Sequence, residues 1–325
     1  MDIILQDSFF NAAPNSFVAN ALSLYNKQRH ECEIFGKWCE QTGASLHPGR
    51  LSDCRFLPIS FFKTHKVSCK AAEKPAIVFT SSGTTGAQTS RHYVYNSAWY
   101  EAVFTRGWKH FFGDPAHTAF FCLLPSYMER SGSSLIYMME KLVGMHQASR
   151  GGFYLQHSDQ LALDIQTAKA AGDDIVLFGV SFALLNFAET APVAIPGMVM
   201  DTGGMKGRKK EVTRQELHQL LCNAFKTPGI ASEYGMTELM SQAYSRQNGR
   251  YYCPPWMKVM VRDESDPLQI RENGSGILCI IDLANQDSCA FIETQDVGKV
   301  FEDGSFEVLG RLDTADLRGC NLLVA

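Results

Sequence analysis

The sequence turns abruptly from apolar to small polar residues at Phe79-Thr80-Ser81-Ser82-Gly83-Thr84-Thr85-Gly86, directly after Ala76-Ile77-Val78. A short apolar run that ends in a Ser/Gly/Thr-rich loop predicts a buried strand. The N–H groups and hydroxyls of such a loop can wrap phosphates, and its glycines allow close approach. The loop has neither the Gly-Lys-Ser/Thr of a Walker A loop nor the glycine spacing of a dinucleotide fingerprint. An ordinary turn is the alternative interpretation.

Apolar strand-like runs then alternate with helical patterns, which predicts an α/β domain built on a layered, largely parallel sheet. The predicted strands are 118–124, 175–179, 197–200 and 229–232, and the predicted helices are 97–112, 133–143, 161–171, 181–189 and 214–225. One long helix is predicted over 16–41, with Asn15 as its N-cap and Gly43 as its stop. Short β-like runs follow Pro254-Pro255, so we expect an α/β body over 1–254 and a small β subdomain with a tail over 255–325.

Composition excludes several classes of protein. The 325 residues carry a formal net charge of -4, and the only short basic run is 206–210, so no nucleic-acid surface is predicted. The N-terminus lacks the basic and apolar regions of a signal peptide, and no stretch approaches the roughly 20 apolar residues of a membrane span. Ten cysteines without a Cys-x-x-Cys pair argue against a zinc or redox motif and for a reducing cytoplasm.

A second motif, Glu233-Tyr234-Gly235-Met236-Thr237-Glu238, follows the last predicted strand of the body. The tyrosine face can stack on a purine, the threonine hydroxyl can bond a phosphate oxygen, and the glutamate can hold Mg²⁺. The alternative is a strand-end turn with exposed acids.

Together the two motifs resemble the adenylate-forming superfamily of acyl-CoA synthetases, firefly-type luciferases and peptide-synthetase adenylation domains. They occur in that family's order, about 150 residues apart. Asp201-Thr202-Gly203-Gly204 resembles the family's adenine segment, Asp296 its ribose-binding aspartate, and Gly310-Arg311-Leu312-Asp313 its Gly-Arg-x-Asp segment. The resemblance implies the large N-terminal domain of that fold with ATP and Mg²⁺ as cofactors. The chain has no room for the family's C-terminal lid domain, which we expect to be absent.

The resemblance also implies a role for each candidate residue. The phosphate loop Ser81, Ser82, Gly83, Thr84, Thr85 and Gly86 would hold the pyrophosphate, Thr237 the α-phosphate, and Glu238 the Mg²⁺. Adenine would lie along Gly203, Gly204, Tyr234, Gly235 and Met236, with Asp296 and Arg311 on the ribose. The lysine that usually follows this loop in the family is missing, because the chain continues Gly86-Ala87-Gln88-Thr89-Ser90-Arg91.

One branch of the family is most similar: the acyl-protein synthetases of the bacterial-bioluminescence fatty-acid reductase. The stretches 124–135 and 310–322 carry this resemblance. It implies that a fatty acid is activated as acyl-AMP and then transferred to a thiol, for which Cys320 is the candidate, with a reductase or acyl-carrier protein as partner. An aryl- or phenylacetate-type acyl-CoA ligase is one alternative. A non-catalytic acyl- or nucleotide-binding protein is the other.

Overall fold

The computed structural model describes residues 9–11, 16–81, 88–124, 132–154, 158–190, 193–203 and 213–312. Contacts divide the chain into two compact units. One comprises residues 74–254, and the other joins residues 2–73 to residues 255–325. No helix within these described ranges has both the length and the apolar character needed to cross a membrane.

The first unit contains a six-stranded sheet in the order β5-β4-β6-β7-β8-β9. Its strands are β4 (Thr118–Leu123), β5 (Gly151–Phe153), β6 (Asp174–Val180), β7 (Met198–Thr202), β8 (Ile230–Tyr234) and β9 (Ala243–Ser245). All neighbouring pairs are parallel except β8 with β9, which is antiparallel. Every residue of β4 is buried, as expected for a strand covered on both faces. The prediction of a largely parallel α/β sheet is confirmed.

The helices of this unit are α4 (Ser97–Phe112), α5 (Ser134–Gly144), α6 (Ser158–Ala171), α7 (Ser181–Thr190) and α8 (Arg214–Phe225). Side-chain caps fix where they begin. The Asn96 side chain accepts a hydrogen bond from the N–H of Trp99, and Thr213 and Glu216 form a reciprocal capping box at α8. A separate hairpin pairs β2 (Ile77–Thr80) with β3 (Arg91–Val94) and carries the predicted phosphate loop between its strands.

The second unit contains the remaining sheet, in the order β1-β13-β12-β10-β11, with β14 also paired to β13. Its strands are β1 (Leu57–Pro58), β10 (Met257–Arg262), β11 (Ile270–Arg271), β12 (Gly274–Asp282), β13 (Phe291–Val300) and β14 (Phe306–Arg311). Its helices are α1 (Phe17–Glu31), α2 (Glu33–Gln41) and α3 (Phe61–Thr64). The predicted β-rich character after Pro255 is therefore observed.

The N-terminal segment differs from the predicted division, because it packs with the β-rich unit instead of the α/β body. Strand β1 pairs in parallel with β13. The rings of Tyr25, Phe35 and Phe56 surround Phe291, with ring centroids 5.0, 6.2 and 5.7 Å from it. This aromatic cluster and the added strand attach residues 16–73 to a sheet that is more than two hundred residues away in sequence.

The predicted single helix over 16–41 is wrong, since α1 and α2 are separated at Cys32, which has extended backbone angles. Gly36 explains the break: a Cβ at this position would overlap the carbonyl oxygen of Arg29, so the two helices approach each other closely there. The predicted N-cap, Asn15, lies outside the described residues. The predicted stop is confirmed, because α2 ends at Gln41 and Gly43 has φ +61°.

Gln28 provides the buried polar attachment of α1. Its amide nitrogen donates to the carbonyl oxygens of Asn285 and Gln286, at 2.8 and 3.2 Å, and its amide oxygen accepts from the N–H of Ala290 at 2.8 Å. The side chain is fully buried. Helix α1 therefore satisfies three backbone groups of the β12–β13 connection.

We expect Gln28→Ala to lower the free energy of unfolding by about 2–4 kcal/mol, because buried backbone groups would lose their partners. Urea denaturation followed by circular dichroism measures this change. Lys27→Ala is the matched control on the same helix, because Lys27 forms only an exposed ion pair with Glu31 and should change stability by under about 0.5 kcal/mol. Equal effects of the two substitutions would contradict the proposed attachment.

Candidate functional site

The candidate site lies where the parallel strands β6, β7 and β8 end. Ser181 follows β6 directly, Gly203 follows β7, and Tyr234 is the last residue of β8. The register aligns Asp201 with Ser232 and Thr202 with Glu233. Since the carboxyl ends of parallel strands meet at one edge, the sheet brings the predicted adenine segment next to the second motif.

Buried side-chain hydrogen bonds cross this edge from β7 to β8. The Ser232 hydroxyl donates to Asp201, and the Thr202 hydroxyl donates to Glu233. Ser181 approaches Asp201 at 3.5 Å and donates to the carbonyl oxygen of Gly203 at 3.3 Å. All four residues of the β7–β8 pair are 6 % exposed or less, so each carboxyl group depends on these hydroxyls in place of water.

Glu233 has an unusual environment for a carboxyl group. Burial raises its pKa to about 7; the hydrogen bond from Thr202 opposes this rise, and the negative charge of Asp201 adds to it. Among the described residues, no cation forms an ion pair or hydrogen bond with Glu233. A neutral carboxylic acid is therefore the favoured form below neutral pH.

The turn after β8 is shaped around that carboxyl group. A Cβ at Gly235 would overlap Glu233 Oε1 in its present position, so the absence of a side chain at Gly235 leaves room for the acid. The Tyr234 ring is half-buried, and its centroid lies 5.7 Å from that of Tyr251. The Arg214 guanidinium lies 5.4 Å from the centroid of the Tyr251 ring. These contacts pack the base of the turn that carries Tyr234, Met236 and Thr237.

The β2–β3 hairpin is attached to the same turn. Ser81 and Ser90 close the base of the predicted phosphate loop, since the Ser81 N–H donates to the Ser90 carbonyl oxygen at 3.2 Å and the Ser90 N–H to Ser81 Oγ at 3.0 Å. Buried His92 on β3 donates from Nδ1 to the carbonyl oxygen of Thr237 at 2.8 Å. This bond joins the two sequence motifs. Ser82, Gly83, Thr84, Thr85 and Gly86 lie outside the described residues.

The stretch 124–135 also reaches this hairpin. The Thr80 N–H donates to the carbonyl oxygen of Gly132 at 2.8 Å. Gly132 has φ +87°, a backbone conformation that favours glycine, and a Cβ there would lie 3.0 Å from Thr80 Oγ1. Gly132, which belongs to this stretch, therefore contacts the base of the predicted phosphate loop just before helix α5 begins.

Glu238 is the candidate metal ligand and is 5 % exposed. No group of three or more His, Cys, Asp or Glu side chains suited to a metal ion occurs in the described part of the chain. Magnesium is commonly held by one or two carboxylates together with substrate phosphates, and not by an all-protein cage. A single carboxylate beside a turn that is predicted to bind phosphate fits that mode of binding.

Asp296 and Arg311 belong to the second unit. They face each other on the antiparallel strands β13 and β14. The N–H of Asp296 donates to Thr294 Oγ1 at 3.0 Å, and the Arg311 guanidinium reaches Gln295 Oε1 at 3.4 Å. The sheet therefore places both candidate ribose ligands side by side. Gly204 and Cys320 lie outside the described residues.

A cavity of about 220 Å³ lies at the opposite edge of the first sheet, where β4, β5 and β6 begin. Three of the polar side chains that line it already have hydrogen-bond partners within the protein. Arg150 binds Asp173 through two hydrogen bonds, one of them 2.9 Å long, and His146 Nδ1 accepts the N–H groups of Ala148 and Arg150. The chemistry of the candidate site is at the carboxyl edge, so this cavity is not part of it.

Sequence reasoning named Thr237 and Glu238 but missed His92, which bonds the carbonyl oxygen of Thr237, and the buried polar pairs at the ends of β7 and β8. The motifs quoted from the sequence contain Asp201, Thr202 and Glu233, but no role was predicted for these three residues. Their positions at the ends of predicted strands could have indicated that they lie at the site. Ser232 carried the same signal, as a small polar residue at the end of a buried strand. His92 carried none, because its bond to Thr237 spans 145 residues.

No protein-family model matches the chain. Two curated proteins named long-chain-fatty-acid–luciferin-component ligase are similar. The one from Aliivibrio fischeri is 26% identical over an alignment of 139 residues, which covers 39% of this chain and 37% of the relative. The one from Vibrio harveyi is 21% identical over 327 aligned residues, which cover 92% of this chain and 84% of the relative.

Among solved structures, ATP-bound MatB from Rhodopseudomonas palustris has a TM-score of 0.54 at 15% identity, covering 74% of this chain and 49% of MatB. A long-chain-fatty-acid-CoA ligase, FadD1, from Archaeoglobus fulgidus has the same score at 15% identity, covering 78% and 54%. The chain thus spans about half the length of these structures. It shares its fold with the matched parts of MatB and FadD1, and its sequence is similar to the two long-chain-fatty-acid–luciferin-component ligases.

Proposed function

We propose that the chain activates a carboxylic acid with ATP, forming acyl-AMP and pyrophosphate. The observation that carries this proposal is the hydrogen bond from His92 to the carbonyl oxygen of Thr237. It holds the hairpin of the phosphate loop against the turn that would meet the α-phosphate. The hairpin that carries the first motif is therefore attached to the turn that carries the second.

The reaction demands positioning more than acid–base chemistry. A carboxylate oxygen forms a bond to the α-phosphorus, and the bond from that phosphorus to the oxygen of the departing pyrophosphate breaks. Rate then depends on alignment and on donors placed where negative charge develops. We assign the loop Ser81–Gly86 to the pyrophosphate and the hydroxyl of Thr237 to the α-phosphate.

Several residues are candidates for contact with the nucleoside. Gly203 has φ +70° and open space where a Cβ would stand, so a flat base can approach its backbone. Gly203, Gly204, Gly235 and Met236 would line the adenine, and the Tyr234 ring would stack on it. By resemblance, Asp296 and Arg311 are assigned to the ribose hydroxyls.

Glu238 would hold Mg²⁺, with phosphate oxygens as further ligands. The ion would neutralise charge on the departing pyrophosphate. The contribution of the chain is a carboxylate whose position is fixed by burial and by the turn that His92 anchors.

A long-chain fatty acid is the proposed substrate, because both curated relatives carry that acid in their names. In a second step, the thiolate of Cys320 would attack the carbonyl carbon of acyl-AMP, forming a thioester and releasing AMP. A reductase or acyl-carrier protein in the cytoplasm would then take the acyl group. This step rests on the sequence resemblance alone.

We expect ATP–pyrophosphate exchange that depends on a saturated fatty acid and on Mg²⁺. Glu238→Gln should reduce the exchange rate by on the order of 100-fold, since it removes a charge from the metal site and keeps the size of the side chain. Glu140→Gln is the matched control, because Glu140 is exposed on α5. It should keep the full rate.

Exchange is measured with labelled pyrophosphate across acids of increasing chain length and one aryl acid. Exchange with the aryl acid alone would favour the aryl-acid alternative. ATP binding without exchange for any acid would contradict the proposed reaction and support a non-catalytic nucleotide-binding protein.

Acyl transfer is tested by incubating the protein with ATP, Mg²⁺ and labelled fatty acid, then treating it with neutral hydroxylamine, which cleaves thioesters. Cys320→Ser should keep acyl-AMP formation and lose the hydroxylamine-labile label. Cys253→Ser, at a half-buried cysteine, should retain that label. A label that maps to another cysteine, or persists in Cys320→Ser, would show that Cys320 is not the acceptor.

A further inference from the structure

Glu233 is buried beneath the turn to which the proposed function assigns Tyr234 and Thr237. Its Oε2 accepts the Thr202 hydroxyl on β7, and its Oε1 lies against Gly235. The side chain therefore contacts the end of one strand and the first residue of the turn at once. Any change in its charge acts on both.

The charged and titratable groups near Glu233 lie on β7, on β9, on α8 and at Tyr251. Asp201 on β7 is the nearest carboxylate, and Tyr244 on β9 is the direct register partner. The pKa of Tyr251 is raised to about 12, chiefly by burial and in small part by Glu233. His218 on α8 approaches Asp201 at 3.6 Å, and Arg214 faces Tyr251. Of these groups, Asp201 is the one whose charge raises the pKa of Glu233.

We propose that Glu233 is a positioning residue for the nucleotide: as a neutral carboxylic acid bonded to Thr202, it holds the 234–237 turn in its binding conformation. This inference rests on the proposed function for the identity of the ligand. The position of the turn can be measured on the protein without any ligand. Loss of the proton leaves a buried negative charge at Glu233 that no described cation pairs with, and disfavours the packed turn.

The direction of the pH effect follows from the buried position. Burial raises the pKa of Glu233 to about 7, so the proton is present below this pH and lost above it. ATP is an anion and binds the neutral form more tightly. Its affinity should be highest below pH 7 and fall as the pH rises through 7, by at least about fivefold between pH 6 and pH 8.5.

The test compares wild type, Glu233→Gln and Thr202→Val in the full chain. Calorimetry gives the ATP dissociation constant from pH 6 to pH 8.5, and hydrogen exchange without ATP gives the protection of residues 234–238. Glutamine mimics the neutral acid, so the Glu233→Gln protein should bind ATP at pH 6 with a dissociation constant within about twofold of wild type. It should show only the pH dependence that comes from titration of ATP itself. Thr202→Val should weaken binding and protection at every pH.

Hydrogen exchange separates this inference from the proposed function. Protection of residues 234–238 is corrected for the intrinsic exchange rate at each pH. If the corrected protection falls above pH 7 in wild type but not in Glu233→Gln, Glu233 positions the turn. The same pH profile in both proteins overturns the inference even where ATP binds. Absence of ATP binding in all variants overturns the proposed function, while the exchange data still decide the role of Glu233.

Discussion

The register between β7 and β8 is the constraint on which the candidate site depends. It sets Thr202 against Glu233 and Asp201 against Ser232, and buries all four side chains. Two carboxyl groups in an apolar sheet edge are costly unless each has a donor. A shift by one residue would turn those hydroxyls and carboxyls to opposite faces of the sheet and leave the acids without partners. The polar pairs therefore specify the register as strongly as the apolar core does.

The turn and hairpin take their positions from this edge. Gly235 accommodates the Glu233 carboxyl group, and the carbonyl of Thr237, two residues further on, accepts the bond from His92. The first link joins residues two positions apart, whereas the second spans 145 residues. For the proposed reaction this matters, because displacement of a reacting group by about 1 Å can cost on the order of 100-fold in rate. A rigid strand edge that supports a short turn suits chemistry performed by alignment.

Local patterns predicted much of the fold, since strands, helix caps and turns are encoded by neighbouring residues. The caps at Asn96 and Thr213 and the buried strand β4 follow from residues within a few positions of each other. The packing of residues 16–73 against β13 could not be predicted this way, because it depends on contacts with Phe291 across more than two hundred residues. The break at Cys32 likewise follows from a close approach at Gly36. Of the candidate site, sequence predicted the residues that would face the nucleotide, but not the buried ones that hold them.

If this edge binds a polyanion, as proposed, two buried acids beside it pose a problem of charge that the surrounding groups reduce. Asp201 is covered by hydroxyls from Ser181 and Ser232, while Glu233 is bonded to Thr202 and favoured in its neutral form. Hydroxyl donors and protonation lower the negative potential that two carboxylates would otherwise direct at the phosphates. Glu238 is then left as the carboxylate proposed to hold the metal. The same residue type thus serves two purposes within one turn, because burial beside Asp201 favours a proton at Glu233, whereas the proposed role of Glu238 requires its charge.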